Sequence, residues 1–130
     1  MTFQRLGQVD KALFAYAEAL NVDPDDSKAY YQRGTALIQK ESLDEALIAF
    51  DAAIKLDPTF LDAYRAASHV QAQRQQWDRA LALWDGYVAH QANNGRAYFE
   101  RSIIRRSKGD AQGFMRDLQQ ACALAHQAAC

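Results

Sequence analysis

The chain has 130 residues, 49% of them hydrophobic, and a formal net charge of −1 at pH 7. That length is one domain's worth, the apolar content can bury a core, and the near-neutral balance excludes a global basic field for nucleic acid or anionic lipid. No apolar run nears the roughly 20 residues of a membrane span, and the N-terminus has no signal-peptide core.

Only two prolines and six glycines punctuate a chain rich in Ala, Leu, Gln and Arg, a composition that predicts long helices joined by few turns. Residues 1–6 are expected to end a truncated first helix, followed by helices over 8–21, 27–40, 43–56, 61–74, 77–90, 95–108 and 110–126. Asp23, Asp25 and Asp26 around Pro24 are expected to cap the helix that follows them. Asp44 and Glu45 stand in the first turn of the 43–56 helix, where the macrodipole favours acids, and Asp57-Pro58 stops it. Charge is uneven along this series. Residues 1–94 hold nine Lys and Arg against thirteen Asp and Glu, and residues 95–130 hold six against three.

The helices repeat with a shift of 34 residues. Ala-Tyr falls at 29–30, 63–64 and 97–98, with the small residues Gly34, Ser68 and Ser102 one turn later. A second series runs Ala12, Ala46 and Ala80, broken at Phe114, and a third runs Tyr16, Phe50, Trp84 and Leu118. A fourth is Ala19, Ala53, Tyr87 and Ala121. Intervals of three and four put large and small apolar residues on one stripe of each helix. Gly34 and Ala46 then permit close axial approach while Phe50 fills the space beside them. Phe114 is expected either to force its two helices apart or to be accommodated by Gly113.

This pattern resembles the tetratricopeptide repeat family, matched by Tyr30, Gly34, Leu37, Ala46, Phe50, Ala53 and Pro58, with Arg33 where Leu is usual. Residues 61–94 match more loosely, with Ser68, Gln71, Tyr87 and Ala92 at family positions, and the next unit departs at Ser102, Arg105 and Phe114. The resemblance implies an all-α fold, an α–α superhelix (solenoid) of antiparallel helix pairs with about 3.5 repeats. One domain over 1–130 is expected, divided into a partial repeat at 1–26 and full repeats at 27–60, 61–94 and 95–128. Terminal repeats normally carry polar caps, so the chain is expected to be an excerpt of a longer protein or to have its ends covered by another copy.

The resemblance further implies a non-catalytic scaffold that binds a peptide or protein segment in a concave groove lined by the first helix of each pair. The implied groove residues are Lys28, Tyr31, Thr35, Ile38, Arg65, His69, Gln73, Arg96, Phe99, Ile103 and Arg106. Tyr31, Ile38, Phe99 and Ile103 lie off the main packing stripe, and with the nearby arginines they suit a ligand carrying acidic and apolar residues. The alternative is a module that self-associates through its open terminal helices, aided by the charge gradient. Chaperone tails are not expected: of Tyr31, Thr35, Ala66, Arg96 and Glu100, which stand where a carboxylate clamp would, only Arg96 suits.

Chemistry is sparse. His69, His90 and His126 fall in different repeats with no Cys or second His at ligand spacing, and no phosphate loop or nucleophile motif occurs. No enzyme, metal or cofactor is expected. Arg101, Arg105, Arg106 and Lys108 are diluted by Glu100, Asp110 and Asp117, so no nucleic-acid site is read there, and by register Arg101 faces Asp117 on the partner helix. Cys122 and Cys130 would lie about 12 Å apart on one straight helix, although a turn near His126 could join them. Their spacing is similar to the cysteine framework of secreted Sel1-like repeats. Free thiols in a cytoplasmic protein are the expectation, with a secreted or periplasmic setting left open.

Overall fold

The structure, a computed structural model, describes residues 3–124, 126, 129 and 130. Among them stand seven α-helices and no strand: α1 (Phe3–Val22), α2 (Ser27–Gln39), α3 (Leu43–Leu56), α4 (Leu61–Gln73), α5 (Trp77–His90), α6 (Gly95–Lys108) and α7 (Ala111–Ala123). The fold is all-α, made of consecutive antiparallel helix pairs joined by short turns. Residues 1 and 2 of the expected first helix and residue 125 of the expected last one lie outside the described residues. The chain forms two compact units, Met1–Ala67 and Ser68–Cys130, with the boundary inside α4.

In the first unit α1 packs on α2 and α2 on α3. Asp26 starts α2, its carboxylate accepting from the Ala29 N–H at 3.1 Å, while the Asp23 carboxylate accepts from the Asp25 N–H. Of the three acids expected to cap α2, Asp26 does so, while Asp23 closes the turn that precedes it. Ala46, Phe50 and Ala53 are fully buried. A Cβ added at Gly34 would stand 2.6 Å from the Phe50 ring, so only glycine fits without displacing that ring. After Pro58 ends α3, the Tyr64 hydroxyl donates to the Pro58 carbonyl at 2.9 Å and ties the turn to α4.

One expectation fails here. α1 is a single helix from Phe3 to Val22, with no turn separating residues 1–6 from 8–21. Glu41, Gln75 and Gly109 turn the chain between paired helices with φ of 64°, 58° and 96°, at 34-residue spacing. Gly7 holds the same register one repeat earlier, yet it is helical. Extending α1 through Gly7 costs only about 1 kcal/mol, so a glycine at this register does not by itself force a turn.

In the second unit α5 packs on α6 and α6 on α7. Trp84 is fully buried with the Tyr87 ring edge-on to it at 6.0 Å. The Tyr87 hydroxyl accepts from the Asn94 amide at 2.8 Å. Asn94 in turn caps α6, accepting from the Arg96 and Ala97 N–H groups at 3.0 and 3.4 Å. Tyr87, unusual for its register, thus anchors the helix start that lacks the usual proline.

Phe114 does not wedge α6 and α7 apart. Gly113 takes the buried contact instead, and Phe114 sits half-buried beneath the Arg106 guanidinium, 5.7 Å above the ring centroid. The buried stripe of α7 is Gly113, Asp117 and Ala121, so Asp117 rather than Leu118 occupies the contact. The cysteines also depart from expectation. α7 ends at Ala123, the chain turns back with the His126 N–H donating to the Ala121 carbonyl at 3.0 Å, and Cys122 and Cys130 are disulfide-bonded with Cα atoms 5.1 Å apart. The expectation of free thiols does not hold: α7 ends at Ala123 rather than at 126, and the turn after it brings the two sulfurs within bonding distance.

Candidate protein-binding faces

In the first unit, α2 presents Lys28 and Thr35 to solvent and holds Tyr31 and Ile38 half-buried. The Tyr31 ring is wedged between Phe50 and Phe60, with centroids 5.9 and 5.2 Å away. It therefore contributes to packing as well as to the surface, which corrects its reading as a residue outside the core. Thr35 donates its hydroxyl to the Tyr31 carbonyl at 3.1 Å. Arg65, on α4, is half-buried and lies 3.9 Å from Asp62.

Tyr31 and Thr35 also border a cleft of about 680 Å³ between α1 and α2. Its α1 wall is Arg5, Gln8, Val9, Ala12 and Tyr16, and its α2 wall adds Gln32, Ala36 and Gln39. The α1 residues were absent from the groove reading. The signal was present: Ala12 and Tyr16 stand 34 residues before Ala46 and Phe50, which are fully buried, whereas Ala12 and Tyr16 are only half-buried.

In the second unit, His69 and Gln73 are exposed on α4, with their side-chain nitrogens 3.1 Å apart. On α6, Arg96 is exposed and 3.7 Å from Glu100. Phe99 is half-buried against the His126 ring at 4.9 Å, Ile103 is half-buried, and Arg106 is exposed over Phe114. As with Tyr31, Phe99 and Ile103 share in the packing.

Three of the four basic residues of the α6 cluster pair with acids on neighbouring helices. Arg101 donates through Nε and Nη2 to both carboxylate oxygens of Asp117, at 3.0 and 2.8 Å, and through Nη1 to Asp85 at 2.9 Å. The side chain of Asp117 is only 5% exposed. Burial works against the Arg101 charge, but the hydrogen bonds and attraction of Asp117, then of Asp85, outweigh it and push its pKa above the ordinary arginine value. Arg105 lies 3.3 Å from the same Asp117, and Lys108 donates to Asp78 on α5. One arginine therefore clamps α6 to both neighbouring helices, as register with Asp117 foretold. Among the described residues no group of three His, Cys, Asp or Glu could hold a metal ion, and no helix is long and apolar enough to cross a membrane.

A family model described as tetratricopeptide repeat matches residues 1–59. A crystal structure of MamA protein superposes with a TM-score of 0.76 at 20% identity, over 98% of this chain and 69% of that one. MamA 41-end from Desulfovibrio magneticus RS-1 gives 0.70 at 25% identity, over 93% and 68%. No curated protein matches the chain. The 34-residue register and the helix pairs built on it thus agree with two findings: residues 1–59 match the tetratricopeptide repeat model, and the chain is similar in fold to the MamA structures.

Proposed function

We propose that the chain binds protein segments through the outward faces of its first-of-pair helices, α2 in the first unit and α6 in the second. The match of residues 1–59 to the tetratricopeptide repeat model supports a protein-interaction, scaffolding role. The observation that carries the finer reading is the state of the aromatic residues. Tyr31 is held by Phe50 and Phe60, and Phe99 by His126, so each meets a ligand with its ring already immobilised. A fixed aromatic loses little entropy on binding and makes an efficient anchor. Around these rings Lys28, Arg96 and Arg106 are exposed, which suits a segment with apolar anchors and acidic neighbours. These residues lie on short helices of a fold used for scaffolding, and the proposed role is non-catalytic.

Affinity capture from the native lysate tests this. Lys28→Glu and Arg106→Glu alter exposed side chains and leave the core intact, so each should remove the partner that the unaltered chain recovers. Identical recovery by both variants would eliminate these faces.

A further inference from the structure

We propose that the Cys122–Cys130 disulfide is a redox switch that sets the length of α7 and, through it, whether Phe99 is braced as a binding anchor. This regulates the α6 face and rests on the protein-binding reading above only in giving Phe99 that role. Two states of one segment carry the inference. With the disulfide formed, α7 ends at Ala123 and the chain turns, the His126 N–H donating to the Ala121 carbonyl at 3.0 Å. The turn lays His126 on α6, its ring 4.9 Å from that of Phe99. One turn earlier on α6, a Cβ added at Gly95 would stand 3.1 Å from the Cβ of His126 and 3.2 Å from that of Leu124. Leu124 and His126 therefore cover the start of α6.

Local sequence favours the other state. The segment from Ala121 to Cys130 reads ACALAHQAAC, with five alanines and neither Gly nor Pro, so its own propensity is to carry α7 onward. A continued helix sets the two cysteines, 8 residues apart, about 12 Å from each other along its axis. In the disulfide their Cα atoms are 5.1 Å apart, and no disulfide spans the larger gap. Bond and longer helix exclude each other. The backbone bonds of the turn, from His126 to Ala121 and from Ala129 to His126, are replaced rather than lost when the helix continues. The disulfide therefore decides between the states, and the lengthened helix carries His126 away from Phe99.

Cys130 is exposed, so a dithiol reaches its sulfur. One thiolate of the dithiol attacks Cys130 Sγ, the S–S bond breaks, and Cys122 leaves as a thiolate. The second thiolate then closes on the first and expels Cys130. Two electrons pass from the dithiol, which becomes a disulfide, and its two protons end on the cysteine thiols.

NMR on the full 130-residue chain, with dithiothreitol as the dithiol, tests this. The oxidised chain should show an NOE between the Phe99 and His126 rings and helical Cα shifts that stop at Ala123. Dithiothreitol should abolish the NOE and carry the helical shifts past His126, and reoxidation should restore both. Cys122→Ser with Cys130→Ser should show the long helix without reductant and not respond to it; if that variant does not fold, the reduced unaltered chain gives the same readings. The proposal is overturned if the reduced chain keeps the NOE and the short helix. It is overturned equally if residues after Ala123 lose order without becoming helical, since the bond would then only staple a chain end. The partner lost by Arg106→Glu should also be recovered less by the double serine variant, and equal recovery overturns the regulatory role. The NMR readings need no partner, so failure of the binding faces and failure of the switch are told apart.

Discussion

In the first unit α2 meets α3 through the bare backbone of Gly34 lying on the Phe50 ring. In the second unit α6 meets α7 at the same register through Ser102, whose hydroxyl donates to the Phe99 carbonyl at 2.6 Å, and through the Arg101–Asp117 pair beside it. One repeat length therefore supports two kinds of contact. The apolar one depends on the absence of a Cβ, and any atom added there costs energy. The polar one admits a Cβ but buries charges, and so depends on every partner being present. A repeat can exchange close packing for a satisfied ion network without changing where its helices start and stop.

The largest effect should come from removing one partner of that network. Asp117→Ala leaves Arg101 and Arg105 facing a dry contact, and urea unfolding should show a loss of about 3 kcal/mol, the low end for a broken buried pair because Asp85 still holds Arg101. Hydrogen exchange should locate the damage in α5–α7. Equal loss of protection in α2 and α3 would break the distinction between the units. Next comes the disulfide: replacing Cys122 and Cys130 together by Ser should cost about 2.5 kcal/mol for so short a loop. Reductant should lower the unaltered chain's melting point to match and leave the double variant unmoved.

The glycine swap sharpens the comparison most directly. Gly34→Ser should destabilise by about 2 kcal/mol through collision with Phe50. The reverse change, Ser102→Gly, should cost about 1 kcal/mol, through backbone freedom and a lost hydrogen bond. Equal costs would mean that the two contacts are alike after all. The smallest effect carries the opposite sign. Gly7→Ala, in the second turn of α1 with nothing within 4 Å of the added Cβ, should raise stability by about 0.5–1 kcal/mol in a thermal melt.

Most helix boundaries were legible in advance because they rest on local chemistry: Asp26 as a cap, Pro58 as a stop, and three-and-four spacing of apolar residues between them. Arg101 facing Asp117 was legible too, since register places them on opposed helices. The cleft on α1 was missed because the groove reading considered only first-of-pair helices. Tyr31 and Phe99 were read as groove residues because their spacing leaves them off the stripe, whereas Phe60 and His126 reach them from turns and chain ends that periodicity does not describe.

By itself, then, the amino-acid order determined the helical class, the 34-residue period and the close approach at Gly34, since each follows from interactions within a few residues or from repetition of one pattern. Tertiary structure alone decided that α1 runs straight through Gly7, that α7 rotates to bury Gly113 and Asp117 in place of Phe114 and Leu118, and that Cys122 meets Cys130. The physical reason is common to all three. Each is a choice between nearly equal local options, settled by what a neighbouring segment does or does not supply.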